Sequence, residues 1–208
     1  AVFTSYFSND WKWVLGVASI LIVIGLIDDL WDLRPLYKLF AQITAALLMM
    51  FSTGEYIHTI AYLPDSVSVN ISEVGYLITL LAVVGLINAF NMMDGIDGLA
   101  AMQAILSIVF TIASIHIFGS KFSGGNFIIL LLGALIGFLV ANLSLLPKIK
   151  IFLGDAGSML LGFCVAWVLI SNTQNHGGQG LPPSMALWIV AVPVADTLAL
   201  SVRRMLLG

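Results

Sequence analysis

The sequence predicts an all-α protein built as a polytopic bundle of transmembrane helices, with about seven spans. Two observations lead to this fold class. Of the 208 residues, 60% are hydrophobic and 9% are charged, whereas a typical soluble domain has roughly 45–50% apolar and about 25% charged residues. The apolar residues also cluster into stretches near the ~20 residues that a membrane helix needs. We place the spans at 11–27, 36–53, 74–92, 99–118, 126–146, 157–171 and 184–202.

Proline, glycine and serine residues mark where these spans begin, end or bend. Pro35 disfavours helix at the residue before it and so separates the first two spans. Gly95 and Gly98 permit positive φ and are predicted to break the helix after the third span. Ser158 is a candidate N-cap for the sixth span. Pro193 predicts a kink in the seventh.

The connectors leave no room for a soluble domain, so we interpret residues 1–208 as one integral membrane domain. Residues 1–13 begin with alanine and lack the charged start and the cleavage site of a signal peptide. We therefore expect the sequence to be the interior of a longer protein. The net charge of −3 provides no basic surface for nucleic acid, so we expect no nucleic-acid partner.

Positive charge lies mostly on one side of the predicted bundle. In membrane proteins, lysine and arginine concentrate in the short loops that face the cytoplasm. Six of the eight basic residues fall on the side of connectors 28–35 and 147–156, namely Arg34, Lys38, Lys148, Lys150, Arg203 and Arg204. We therefore predict that this side faces the cytoplasm.

Seven of the eleven acidic residues fall at or near the same edge, although they come from four distant segments. They are Asp28, Asp29, Asp32, Asp94, Asp97, Asp155 and Asp196. A charge at the centre of a membrane helix costs roughly 2.5–3.5 kcal/mol, and less near an end. A cost repeated so often indicates a functional site. The structural alternatives are acids that mark the water boundary, cap helices or hydrogen-bond between helices.

The donor atoms of this predicted site are hard oxygens. Carboxylates occur together with the carboxamides of Asn88 and Asn91, away from histidine and cysteine, which favours Mg²⁺, with Mn²⁺ as the alternative. The predicted start of the sixth helix forms a candidate phosphate cradle with Lys148 and Lys150. Together these features predict metal-assisted phosphoryl chemistry on a lipid. The alternatives are a cation-coupled transporter, with acids near the membrane midplane, and a purely structural subunit.

Three motifs, in order, resemble those of a known family. GLIDDLWD (25–32), NAFNMMDGIDGL (88–99) and IFLGDAGSMLLGF (151–163) are similar to the central cytoplasmic motifs of the polyprenyl-phosphate N-acetylhexosamine-1-phosphate transferases, glycosyltransferase family 4. The resemblance points to the branch that transfers N-acetylglucosamine 1-phosphate from UDP-GlcNAc to undecaprenyl phosphate and releases UMP. Another UDP-N-acetylhexosamine stays open as the donor.

This resemblance also implies a setting and partners. The reaction is the first membrane step of O-antigen or common-antigen type glycan synthesis, at the cytoplasmic face of a bacterial inner membrane. The implied partners are UDP-GlcNAc, undecaprenyl phosphate, membrane lipids and a second copy in a homodimer. The family has further N-terminal spans and a histidine-containing loop, which we expect to lie outside residues 1–208.

Carried over position by position, the resemblance implies roles for the polar residues. Asp28 is the base or polarising group for the lipid phosphate, and Asp29 supports metal and substrate. The residues expected to be catalytic are Asp28, Asp29, Asp94 and Asp97. Asn91 and Asp155 are expected to hold the metal on the pyrophosphate. The residues expected to bind substrate are Asp32, Asn88, Gly95, Gly98, Lys148, Lys150, Gly157 and Ser158, and Asp32 matches the N-acetylglucosamine branch.

Overall fold

Helices dominate the part of the chain that this computed structural model describes, which is residues 9–62, 68–117, 125–143, 150–174 and 181–207. The helices are α1 (Asn9–Trp31), α2 (Pro35–Thr53), α3 (Ser72–Met93), α4 (Leu99–Ile117), α5 (Gly125–Asn142), α6 (Gly154–Thr173), α7 (Pro183–Ile189) and α8 (Ala191–Leu207). The predicted all-α bundle is confirmed. The chain is a multi-pass membrane protein.

Helices α1 to α6 are each long and apolar enough to cross a membrane. Most of them also expose large apolar side chains on their outer faces, as lipid-facing helices do. The seventh predicted span is a bent pair instead, because α7 and α8 meet at 62°. The count of about seven spans therefore holds when this pair is one span.

The bend between α7 and α8 follows from Pro193, as predicted. Proline has no N–H to bond the carbonyl four residues earlier, and its ring crowds that carbonyl. The carbonyl in question is that of Ile189, the last residue of α7. It accepts a hydrogen bond from the Gln103 side chain at 3.5 Å instead. The helix therefore breaks three residues before the proline.

Helix α6 lies at the centre of the bundle and packs against α1, α3 and α4. It is buried along nearly its whole length, including the large side chains of Phe163 and Trp167. Glycines bring its neighbours close: a Cβ on Gly25 of α1 would overlap the backbone of Ala156. Small residues allow this kind of close helix contact in membranes. The central helix therefore fixes the positions of its neighbours.

A short hairpin lies at the end of α6 opposite the acids. Strands β1 (Thr59–Tyr62) and β2 (Ser68–Asn70) pair antiparallel within connector 54–73. The side-chain oxygen of Gln174 accepts the backbone N–H groups of His58 and Thr59 at 3.1 and 3.0 Å. This hairpin is an exception to the all-α prediction. It anchors the connector to the end of α6.

Candidate active site

Four helix ends meet at the side predicted to be cytoplasmic. They are the last turns of α1 and α3 and the first turns of α2 and α6. These turns bring together Asp28, Lys38, Asn91 and Asp155, which are far apart in sequence. Three of the four were predicted to be site residues.

Lys38 forms the centre of this group. Its ammonium pairs with the carboxylate of Asp28 and lies 2.7 Å from Oδ2 of Asp155. In the sequence, Lys38 indicated only sidedness, and its place in the site was not predicted. One signal was available, because a lysine just after Pro35 lies in the first turn of α2, where the helix dipole disfavours positive charge. Such a placement indicates a compensating acid nearby.

Asp28 is the buried acid of the group, with a side chain only 1% exposed. Its Oδ1 accepts the backbone N–H of Leu33 at 2.8 Å, and its other oxygen pairs with Lys38. A buried carboxylate is tolerated only when such partners offset the loss of water. To act as a base or polarising group, Asp28 would use the remaining acceptor sites of its two oxygens, since an ionised carboxylate has about four.

Asn91 and Asp155, the predicted metal ligands, are in direct contact. The Asn91 amide nitrogen donates to Asp155 Oδ1 at 2.8 Å and to the Ser158 hydroxyl at 3.0 Å. Adjacent oxygens around Mg²⁺ lie about 2.9 Å apart when the ligand distances are about 2.0–2.1 Å. A half-turn of the Asn91 amide would place its oxygen where its nitrogen now lies. The pair therefore fits two adjacent positions of a Mg²⁺ shell.

The protein supplies only part of such a shell. Across the described ranges, no three His, Cys, Asp or Glu side chains gather in a group that could hold a metal ion by themselves. Mg²⁺ commonly binds through one or two carboxylates and completes its shell with water and substrate phosphates. The donor set therefore fits an ion that arrives with a phosphorylated substrate.

Asp29 contacts backbone rather than side chains. Its two oxygens accept the N–H groups of Asp155 and Ala156, at 2.8 and 3.3 Å, so that it caps the start of α6. The helix start was predicted to be a phosphate cradle, and this prediction is wrong for these two N–H groups because a carboxylate of the same chain occupies them. The prediction that Asp29 itself supports metal and substrate stays a prediction.

Ser158 is not the N-cap of α6. The helix begins at Gly154, four residues earlier, and the Ser158 hydroxyl lies inside the helix, where it bonds Asn91 and the Asp155 carbonyl. The glycine at 157 packs on the Leu153 side chain, which a Cβ there would overlap. The predicted contacts of Ser158 and Gly157 with substrate stay predictions.

Asp94 follows the end of α3 and is half-buried. Burial, together with the negative charges of Asp155, Asp29 and Asp97, raises the pKa of Asp94 to about 6, although a hydrogen bond from the Gly154 N–H lowers it in part. Negative charges close to a carboxyl group disfavour its ionised form and so raise its pKa. Asp94 therefore titrates near neutral pH beside the Asp155 group.

Asp97 and Lys150 form an exposed ion pair, with Nζ and Oδ2 2.7 Å apart. The same ammonium lies 5.2 Å from the ring centroid of Phe152. The structure thus joins two predicted substrate-contacting residues at the rim of the group. Lys148, the other predicted phosphate contact, lies outside the described residues.

Asp32 directly follows α1 and has a left-handed conformation, with φ 49° and its N–H bonded to the Asp28 carbonyl. Asparagine and aspartate tolerate this conformation better than most residues. The backbone at Asp32 is therefore not helical, and its side chain does not continue the helical arrangement of Asp28 and Asp29. The exposed carboxylate of Asp32 remains a predicted substrate contact.

Only one of the two glycines after α3 needs its conformational freedom. Gly98 has φ 74°, and a Cβ there would lie 3.0 Å from the Leu143 side chain. Gly95 has no positive φ. The predicted helix break is confirmed, since α3 ends at Met93 and α4 begins at Leu99. The predicted substrate contacts of Gly95 and Gly98 stay predictions.

A second polar layer lies one turn deeper in the bundle. The Asn88 amide donates to Gln42 Oε1 at 2.7 Å, and Gln42 contacts the Met159 sulfur at 3.7 Å. Gln42 is buried and was not predicted to be near the site, although it lies four residues after Lys38 on the same face of α2. The structure gives Asn88 an interhelical contact, and its predicted contact with substrate stays a prediction.

The placement of the acids bears on the transporter alternative, which requires acids near the midplane. Asp28 lies in the last turn of α1, Asp94 lies just past α3, and Asp155 is the second residue of α6. These three acids therefore lie at helix ends on one side. This arrangement favours a site at the membrane surface over an ion path through the midplane.

Comparison with known proteins gives matches over most of the chain. The family model described as glycosyl transferase family 4 matches residues 11–173. Curated proteins named undecaprenyl-phosphate alpha-N-acetylglucosaminyl 1-phosphate transferase are also similar. The protein from Escherichia coli K12 is 35% identical over 93% of this chain and 53% of its own length. The Haemophilus influenzae protein is 34% identical over 91% and 53%.

The same name is given to a Salmonella typhimurium protein that is 33% identical over 99% of this chain and 56% of its own length. The chain therefore spans about half the length of the curated relatives that it matches. These matches agree with the resemblance of the three motifs.

Proposed function

The chain belongs to glycosyl transferase family 4, and from this premise we propose that the whole protein is a phosphoglycosyltransferase of the bacterial inner membrane. It transfers N-acetylglucosamine 1-phosphate from UDP-GlcNAc to undecaprenyl phosphate at the cytoplasmic face and releases UMP. This is the first membrane step of O-antigen or common-antigen type glycan synthesis. The names of the similar proteins support the acceptor and the sugar.

One observation carries the proposal to this chain. Asp28, Asn91 and Asp155, from three distant motifs, gather around Lys38 at one end of the bundle. Helix ends at a membrane surface suit a reaction between a soluble nucleotide sugar and a lipid phosphate. Both substrates are anions, so the site must bring two negatively charged phosphates together. Lys38 and a divalent cation supply the positive charge that this requires.

In the proposed reaction, an oxygen of the lipid phosphate attacks the β-phosphorus of UDP-GlcNAc in line. A new P–O bond forms, and the bond between the β-phosphorus and the bridging oxygen breaks, so that UMP leaves. Asp28 accepts a proton from the lipid phosphate or polarises it, and Lys38 holds negative charge on the phosphates. Asp94 and Asp97 position the nucleotide sugar at the rim. Mg²⁺ or Mn²⁺ held by Asn91 and Asp155 would stabilise charge on the pyrophosphate.

A double label tests the proposal. The full-length protein in membranes receives Mg²⁺, undecaprenyl phosphate and UDP-GlcNAc labelled in both the β-phosphate and the sugar. We expect both labels in the lipid, with UMP released. Sugar label alone, with UDP released, would show an ordinary glycosyltransferase and refute the proposal. If only another UDP-N-acetylhexosamine gives the double-labelled lipid, the reaction stands and the donor is corrected.

A further inference from the structure

The two adjacent acids of α1 face different partners. Side chains that follow one another on a helix point about 100° apart. Asp28 faces the Lys38 ammonium, while Asp29 faces the first N–H groups of α6. Asp28 and Asp29 therefore make separate contacts, although they are adjacent in sequence.

We propose that Asp29 is a positioning residue that caps α6 and thereby aims the Asp155 carboxylate into the site. Its Oδ1 accepts the N–H of Asp155 itself, at 2.8 Å, and Oδ2 accepts the next N–H along the helix. The N–H groups of a first helical turn have no partner within the helix, so an outside acceptor stabilises the turn. The negative charge of Asp29 also complements the helix dipole.

The backbone around this contact is arranged to admit the carboxylate. Gly154 has φ 66°, and a Cβ on it would lie 2.8 Å from Asp29 Oδ2. One turn earlier on α1, Gly25 lies directly against Ala156, so the two helices are in backbone contact there. Gly25 and Asp29 are four residues apart and share a face of α1. Together they hold α6 at its first turn.

The consequence for the site concerns the direction of the Asp155 side chain. The backbone N–H of Asp155 is held by Asp29, while its two carboxylate oxygens reach Lys38 and Asn91, both at 2.7–2.8 Å. Fixing the backbone at this residue limits the directions that its side chain can take. Asp29 therefore acts through Asp155, without contact with the reacting atoms.

This inference rests on the proposed function for its kinetic effect, but its structural part can be tested alone. Hydrogen exchange of backbone amides is measured on the full-length protein in nanodiscs, for a peptide covering 150–158. In Asp29→Ala we expect exchange at Asp155 and Ala156 to rise about tenfold, the loss of one good cap. Asp29→Asn keeps an acceptor for the shorter bond and should give a smaller rise.

Two further variants accompany the exchange measurement, one as a control and one as a second test. Glu73→Gln removes an exposed acid from the first turn of α3 at the opposite end of the bundle, and it should leave exchange in 150–158 unchanged. Gly154→Ala should raise that exchange as Asp29→Ala does, and it serves if Asp29→Ala does not fold. Unchanged exchange in 150–158 when Asp29 is removed would overturn the inference, whatever reaction the protein catalyses.

The kinetic arm separates positioning from direct binding of metal or substrate. Asp29→Ala should lower kcat for phosphosugar transfer, and Asn at 29 should restore most of it. The Mg²⁺ concentration for half-maximal rate should stay within about twofold of wild type in Asp29→Asn. If Asn is as inactive as Ala and raises the Mg²⁺ requirement, Asp29 is a direct ligand and the inference is wrong. If wild type transfers no phosphosugar, the proposed function fails while the exchange result still decides the cap.

Discussion

Lys38 lies between the carboxylates of Asp28 and Asp155 and bridges the end of α1 to the start of α6. A single ammonium thus offsets two acids that come from helices on either side of it. The three charges sum to −1, which leaves negative charge for a divalent cation or a further basic group. We therefore expect Lys38 to contribute both to the stability of the fold and to the charge balance of the site.

Replacing Lys38 by methionine should destabilise the fold. It leaves two neighbouring carboxylates without their shared cation, one of them fully buried. Removing one partner of a buried pair costs about 3–5 kcal/mol. Because Lys38 is partly exposed, we expect about 2 kcal/mol, measured as the free energy of unfolding in detergent.

Lys150→Met is the matched control for this change. Lys150 also pairs with an aspartate at 2.7 Å, but both partners are exposed, and exposed pairs are worth roughly 0–1 kcal/mol. Adding Asp28→Asn to Lys38→Met should recover part of the lost stability. Equal losses for Lys38→Met and Lys150→Met would contradict the bridge.

Asp155→Asn should lower phosphosugar transfer and raise the Mg²⁺ concentration needed for half-maximal rate. The reason is that a neutral amide is a weaker ligand for a hard cation than a carboxylate. The measurement is the transfer rate as a function of Mg²⁺, with Glu73→Gln, an exposed acid in the first turn of α3 at the opposite end of the bundle, as the charge-removal control. Normal activity at ordinary Mg²⁺ would refute a ligand role for Asp155.

Asp28→Asn should abolish turnover while nucleotide-sugar binding is largely kept. Asp28 is buried against Lys38 and is expected to act on the lipid phosphate rather than on the nucleotide. Binding of UDP-GlcNAc is measured by calorimetry and transfer by the double label. A variant that loses binding together with turnover would count against the base or polarising role.

Acidic pH should reduce transfer through Asp94, whose pKa is raised to about 6 from an ordinary 3.8. At pH 7 the carboxylate is mostly ionised, and below pH 6 it takes up a proton and loses its charge. We expect kcat/KM to fall as the pH drops through about 6. Asp94→Asn should have lower activity and lack that acidic limb, whereas Asp97→Asn should keep the limb. An unchanged limb in Asp94→Asn would assign it to another group.

The raised pKa of Asp94 also makes the free energy of unfolding depend on pH. Between pH 3.8 and about 6 the folded protein holds a proton on Asp94 that the unfolded chain has released. The contribution of Asp94 to the free energy of unfolding therefore falls as the pH rises through this window and is level above it. Asp94→Asn should remove this slope, measured as unfolding free energy against pH.

Much of the architecture could be predicted from local patterns. The apolar stretches, the break at Gly98 and the kink at Pro193 each depend on residues within one or two turns. The start of α6 was predicted wrongly. Ser158 resembles an N-cap in the sequence, but the helix begins at Gly154, and Asp29 accepts the N–H of Asp155 in its first turn. The acceptor for that turn lies 126 positions earlier in the chain, so no local pattern could reveal it.

By itself, the sequence determined the membrane class, the order of the spans, the clustering of acids on one side and the family resemblance. These depend on the hydrophobicity of single segments, on where lysine and arginine fall, and on motifs that can be compared directly. Only the tertiary structure decided which partner each acid has. Asp28 meets Lys38 and Asp29 meets the backbone of α6, because neighbouring side chains on a helix diverge and the packing of distant helices determines what each one faces.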